Sequence, residues 1–145
     1  MTTIKMELGG LKDLLGQLAA VGGKMDVILA DVVEELALET RNIAVAKIQG
    51  PPKTGRVYEK YNPRRTHQAS APGQYPAADT GSFGNSIKME LNTLDARVGT
   101  GDERGPWFEF GTSKMLARPW LSPSFEEAMI GASTRIKAEI DARLK

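Results

Sequence analysis

Two long stretches of the chain carry apolar residues at helical spacing. Residues 24–48 contain neither proline nor glycine, and their apolar positions lie three, four or seven apart. Residues 121–144 show steps of three or four throughout. Both stretches are therefore predicted to be long amphipathic helices. The apolar positions are Met25, Leu29, Val32, Val33, Leu36, Ile43 and Ala44 in the first helix, and Leu121, Phe125, Ala128, Met129, Ala132, Ile136, Ile140 and Leu144 in the second.

Three shorter segments, residues 2–8, 86–91 and 96–101, alternate between apolar and polar side chains, which is typical of half-buried strands. Residues 92–95 fit a hairpin loop between the last two strands, and residues 108–110 are a candidate fourth strand. A short helix over 11–22 and a turn or short helical piece over 80–85 complete the pattern. The predicted fold class is α+β, with a small antiparallel sheet of three or four strands packed against two long helices.

The segment between these elements, residues 50–81, has a different composition. It holds five prolines and four glycines in 32 residues, and its only large aliphatic side chain is Val57. Such a segment buries too little apolar surface to offset its ordering entropy, so it is predicted to be a long mobile central loop. Its cationic side chains are Lys53, Arg56, Lys60, Arg64 and Arg65.

These five cations face only two carboxylates in the segment, Glu59 and Asp79, whereas the whole chain has a net charge of +1. Overall charge therefore favours no particular partner, and the basic segment is the candidate local patch. We call residues 50–81 the basic arm, and its cations, interleaved with Tyr58, Tyr61 and Tyr75, are candidate contacts for DNA phosphates and bases.

At 145 residues the chain is expected to form a single domain, 1–145. Its predicted parts are a strand plus helices (1–49), the basic Pro/Gly-rich arm (50–81), the antiparallel sheet and an aromatic corner (82–120), and the C-terminal helix (121–145).

The corner holds the densest group of aromatic residues, because five of the nine in the chain lie between residues 107 and 125. The core is therefore expected here. Glu109 is expected at the surface or paired with Lys114 or Arg118, and Ser122 is expected to cap the last helix. The residues assigned to the structural corner are Trp107, Phe110, Gly111, Arg118, Pro119 and Trp120.

A search for catalytic chemistry finds little. The chain has no cysteine, and His67 is its only histidine, which excludes disulfides, cysteine-ligated zinc and any site needing two imidazoles. The glycines at 50 and 55 have phosphate-loop spacing, but Arg56-Val57 stands where that motif requires Lys-Ser or Lys-Thr. No catalytic, cofactor-binding or metal residue is predicted, no apolar run is long enough to cross a membrane, and the chain is not expected to be an enzyme.

Three groups of residues carry a family resemblance. They are Pro-Pro-Lys-Thr-Gly-Arg-Val-Tyr at 51–58, then His-Gln-Ala-Ser-Ala-Pro-Gly at 67–73 leading through 76–81 to 85–87, and finally Phe-Glu-Phe-Gly-Thr-Ser-Lys-Met at 108–115 with Ala-Arg-Pro-Trp at 117–120. In order and spacing this series resembles head–tail junction and tail-completion proteins of long-tailed, lambda-like bacteriophages. One departure is Ser82-Phe83-Gly84, where relatives carry an aliphatic or small residue and a basic one, so packing beside the arm is expected to differ.

The resemblance implies a structural protein of the virion neck, assembled in the host cytoplasm, with no catalytic residues. It implies a homo-oligomeric, hexameric ring that joins the head connector to the tail tube around the DNA channel. In such a ring the basic arm is expected to become ordered against a neighbouring subunit, or to turn its cations toward the DNA. Its implied partners are connector or stopper proteins, a tail terminator or tail tube protein, and DNA in the lumen without sequence preference, with no membrane. The alternatives left open are a tail terminator ring, a small non-specific DNA-binding module, and a hydrolase with an unrecognised site.

Overall fold

The computed structural model describes residues 2–4 and 24–143 of the chain. The helices are α1 (Lys24–Gln49), α2 (Ser82–Ser86), α3 (Arg104–Phe110) and α4 (Ser122–Arg143). The strands are β1 (Thr2–Ile4), β2 (Val57–Lys60), β3 (Arg65–Gln68), β4 (Ile87–Leu91) and β5 (Ala96–Thr100). The α+β class and both long helices are confirmed. The helix predicted over 11–22 and the end of the first predicted strand, 5–8, lie outside the described residues.

Helices α1 and α4 pack against each other through their apolar stripes. Buried Ile28, Val32 and Leu36 of α1 form one cluster with Ala128, Ala132 and Ile136 of α4. Ion pairs flank this contact: Lys47 lies 3.1 Å from Glu127, and Arg135 pairs with Glu35 and Glu39 near the middle of α1. The order of these partners shows that the two helices run antiparallel. Such exposed ion pairs contribute little, about 0 to 1 kcal/mol each, so the apolar stripe provides most of the attachment.

The strands lie in two separate antiparallel sheets, where the sequence predicted one sheet of three or four strands. One sheet has the order β1-β5-β4, and β2 pairs with β3 in a hairpin of their own. Ile87 faces Thr100 and Leu91 faces Ala96 across the β4–β5 pair, and the predicted loop closes with a 2.8 Å bond from the Asn92 amide to the Asp95 carbonyl.

The candidate fourth strand, 108–110, was wrong because these residues belong to α3. Pro106 is tolerated there because it lies in the first turn, where a backbone N–H has no partner within the helix. The Asp102 carboxylate marks the start of this helix by accepting the Arg104 N–H at 2.9 Å.

The second half of α1 covers the β1-β5-β4 sheet and forms the larger core cluster. Buried Ala44 and Ile48 of α1 share this cluster with Ile87, Val98 and Trp120. Phe83 of α2 completes it, with its ring edge-on to Phe108 at 5.1 Å and to Trp120 at 5.3 Å between centroids. The aromatic stretch therefore does reach the core, but through only some of its residues.

Candidate functional site

The basic arm contains regular structure. Strands β2 and β3 pair from Val57 opposite Gln68 to Lys60 opposite Arg65, and Gly55 and Arg56 continue the ladder through bonds of 2.9 Å to and from Ala69. The expectation of a structureless loop was wrong on this point. Apolar content underestimated the order because polar contacts to Asp79, later in the same arm, hold the hairpin in place. The mobility of the arm in the free subunit stays a prediction.

Asp79 is the centre of these contacts. Its carboxylate accepts hydrogen bonds from the Lys60 Nζ at 2.5 Å and from the Arg65 guanidinium at 3.0 and 3.2 Å. The His67 Nδ1 lies 3.6 Å from the same carboxylate. The Arg65 hydrogen bonds, followed by the one from Lys60, hold the pKa of Asp79 well below its usual range. Lys60 and Arg65, two of the predicted arm cations, are therefore bound to Asp79 of the same chain.

The other three arm cations have different surroundings. Lys53 is half-buried and donates to the Lys47 carbonyl at 2.7 Å, near the C-terminal end of α1, where a cation is favoured. Burial lowers the pKa of Lys53. Arg56 lies 5.4 Å from the ring centroid of Tyr58, and Arg64 is exposed at 3.8 Å from Glu59. Arg56 and Arg64 are therefore the arm cations that remain most open to a partner.

The aromatic corner, residues 107–120, is divided between core and solvent. Trp120 is buried and donates its Nε1–H to the Gly105 carbonyl at 3.0 Å. Trp107 and Phe110 are instead 49% and 72% exposed, so the expectation that the whole stretch forms core was wrong for these two. The reason is helical geometry: residues three apart share one face of α3, and the opposite face already points Phe108 and Glu109 inward.

Glu109 is the largest correction to the sequence-based expectations. It is buried, and its carboxylate accepts the backbone N–H groups of Trp120 and Leu121 at 2.9 Å each and of Ser122 at 3.0 Å. The Ser122 hydroxyl also donates to it. The carboxylate thus satisfies the free N–H groups at the start of α4, the role expected of Ser122. Lys114 and Arg118 are not its partners.

Gly111 lies at a turn whose backbone conformation favours glycine. Its φ is 77°, and a Cβ there would lie 2.9 Å from the Ala117 nitrogen. This turn returns the chain so that Arg118, followed by half-buried Pro119, faces the arm: the Arg118 Nε donates to the Ser70 carbonyl at 3.1 Å. The Gly73 N–H donates to the Ala117 carbonyl at 3.0 Å. Arm and corner are therefore one continuous surface, which the sequence did not predict.

An open groove of about 390 Å³ lies between the hairpin and the corner. Its lining includes Tyr58, His67, Phe108, Met115, Leu116 and Arg118. The strand position of His67 replaces the loop position expected from sequence. Among residues 2–4 and 24–143 no group of three metal-ligating side chains could hold an ion, and no helix is long and apolar enough to span a membrane.

Comparison of the chain with models of protein families, with curated proteins and with solved structures found no match in any of the three. The likeness to phage junction proteins thus rests on the three groups of residues quoted above.

Proposed function

We propose that this protein is a structural subunit of a phage neck or tail-completion ring, joining the head connector to the tail tube around the DNA channel. A tail terminator ring that caps the tube is the close alternative. In either ring the subunit acts through contacts with its own copies and with connector, stopper or tail tube proteins. No catalysis, cofactor or metal is part of this proposal.

The observation that carries the proposal is the contact between the segments that bear the resemblance. Gly55 of the first segment bonds to Ala69 of the second, and Ser70 of the second accepts from Arg118 of the third. These bonds bring three segments that are separate along the chain together at the surface of the protein. Their contact supports treating the three segments as one functional surface.

The shape of the subunit also supports an assembly role. A packed body of two helices and a sheet carries a polar hairpin at its surface and large apolar side chains exposed beside it. Exposed groups of this kind often mark sites of association with other proteins. A ring subunit needs this combination of a firm body and surfaces left for its neighbours.

The test is the absolute mass of the purified protein, measured by light scattering over a concentration series, with and without the neighbouring junction proteins. We expect a closed oligomer, or a monomer that closes when a partner is added, and electron micrographs of the complex should show rings. Binding to the head connector supports tail completion, and binding to the tail tube alone supports the terminator. A strict monomer under every condition would contradict both.

A second candidate, non-specific DNA binding, is favoured by the exposure of Arg56 and Arg64 beside exposed Tyr61. Cations with an aromatic side chain among them can contact phosphates and stack on bases, and such binding weakens steeply with salt. The double variant Arg56→Glu/Arg64→Glu should abolish salt-sensitive duplex binding and leave the oligomeric mass unchanged. Arg97→Glu, an exposed cation of β5, is the matched control. Duplex binding by a protein that never oligomerises would favour a stand-alone DNA-binding module.

A further inference from the structure

The exposed part of the aromatic corner presents three large apolar side chains. Trp107 and Phe110 share one face of α3, and Leu116 follows in the loop, where it is 71% exposed. Leu116 lies between Met115 and Ala117, whose backbone atoms lie close to Gly111. Gly111 directly follows Phe110 in the chain. Burying such side chains favours association, and aromatic anchors of this kind dominate many interfaces.

Another exposed apolar side chain lies on a different surface. Ile130 of α4 is 79% exposed. It is two residues from both Ala128 and Ala132, which are buried against α1. Because a helix turns 100° per residue, Ile130 lies on the opposite side of α4 from that contact. An apolar residue there has no role in the subunit's own core.

The charges beside these two surfaces are complementary. In the corner, the carboxylate of Glu109 is turned inward, Lys114 and Arg118 supply the positive charge, and exposed Glu103 lies one helical turn before Trp107. Glu126 lies one helical turn before Ile130 on the same face of α4, and exposed Lys137 lies two turns after Ile130. Within the described part of the chain, neither the Lys114 ammonium nor the Glu126 carboxylate forms an ion pair. Lys114 in the corner and Glu126 beside Ile130 are thus charges of opposite sign, unpaired among the described residues, and each lies beside exposed apolar area.

We propose that the aromatic corner of one copy binds the Ile130 face of α4 on the next copy, with Lys114 opposite Glu126. This inference rests on the ring function proposed above. Because the two surfaces differ, the contact is heterologous and leaves one free surface of each kind at the ends of any open chain of copies. Such contacts continue until a ring closes or a filament grows. The occupant of the corner is therefore a second copy of this chain.

The first test reverses the charges and measures self-association by sedimentation. Lys114→Glu and Glu126→Lys should each weaken association about fivefold, and the double variant should restore it to within about twofold of the wild type. A mixture of K114E copies and E126K copies should also assemble. Alternating copies meet opposite charges at every contact, which an even-numbered ring allows. Failure of both the double variant and the mixture to recover would overturn the pairing.

The second test removes the apolar contacts. Phe110→Asp and Ile130→Asp should each reduce association more than tenfold, whereas Leu94→Asp, at an exposed position of the β4–β5 loop, should not. Circular dichroism checks that all three variants are folded. Association unchanged in both Phe110→Asp and Ile130→Asp would overturn this interface and leave the ring function standing. A wild type that never associates would overturn the ring function itself.

Discussion

The buried carboxylate of Glu109 allows the sharpest test of the fold. Glutamine at this position keeps the size of the side chain but replaces one acceptor oxygen with an NH₂ donor. At least one backbone N–H among those of Trp120, Leu121 and Ser122 then loses its acceptor. A hydrogen bond to a charged group contributes about 1.5 to 3 kcal/mol. A negative charge near a helix N-terminus adds roughly 0.3 to 1 kcal/mol.

Together these losses predict that Glu109→Gln lowers the free energy of unfolding by about 2 to 4 kcal/mol. At the size of this domain, that corresponds to a fall in Tm on the order of 10 °C. Urea unfolding followed by circular dichroism would measure the free energy, and calorimetry the Tm. Ser122→Ala should cost less, about 1 kcal/mol, because Ser122 is exposed, so water can replace its hydroxyl donor, and the three backbone bonds remain.

The matched control is Glu34→Gln, an exposed carboxylate in the interior of α1, which should change stability by less than about 0.5 kcal/mol. If Glu109→Gln were as mild as this control, Glu109 would be a surface residue, as the sequence first indicated. The proposed attachment of α3 to the start of α4 would then be refuted.

Three further predictions concern the arm, the core and the corner. Asp79→Asn should speed amide exchange in the β2–β3 hairpin while leaving the core intact. In the wild type, the hairpin should loosen as the pH falls below about 4. The folded protein lowers the pKa of Asp79, so the carboxylate stabilises the hairpin at pH values above its unfolded-state pKa, and this stabilisation is lost as Asp79 is protonated. Equal exchange rates in the two proteins at neutral pH would contradict this. Phe83→Ala should lower the free energy of unfolding in urea by about 3 to 5 kcal/mol, since it leaves a cavity between two aromatic rings. Phe110→Ala, at an exposed position, should lower it by under about 1 kcal/mol. Similar losses in the two variants would argue against the aromatic core. Gly111→Ala should cost about 1 to 3 kcal/mol because Gly111 has a positive φ and close backbone neighbours. Gly101→Ala, where a Cβ meets nothing within 4 Å, should be nearly neutral. Equal Tm values for these two variants would contradict the turn at Gly111.

Sequence periodicity was most reliable where one element has one buried face. Helix α4 begins at Ser122, one residue from the predicted start, because steps of three and four leave only one way to bury its apolar side chains. Strand β5 likewise buries Ala96, Val98 and Thr100, as its alternation predicted. In both cases the information lies within a few residues along the chain.

Composition was less reliable in the arm and the corner. The hairpin was missed because its attachment comes from Asp79, which lies 14 residues from Arg65 and 19 from Lys60. Residues 108–110 were a candidate strand because aromatic residues are common in strands. Pro106 also argued against a helix, although a helix tolerates proline in its first turn. Neither outcome is encoded in a local pattern.

The sequence by itself determined the α+β class, the two long helices and the hairpin loop before β5. These features depend on hydrophobic period or on local backbone freedom, which neighbouring residues specify. Only the tertiary structure decided that Glu109 is buried, that Trp107 and Phe110 face outward, and that Arg118 joins the corner to the arm. Each depends on a partner 11 or more residues away along the chain, or on which face of a helix the rest of the fold covers. Polar hydrogen bonds carry no periodic signal, so their partners emerge only once the apolar elements have packed.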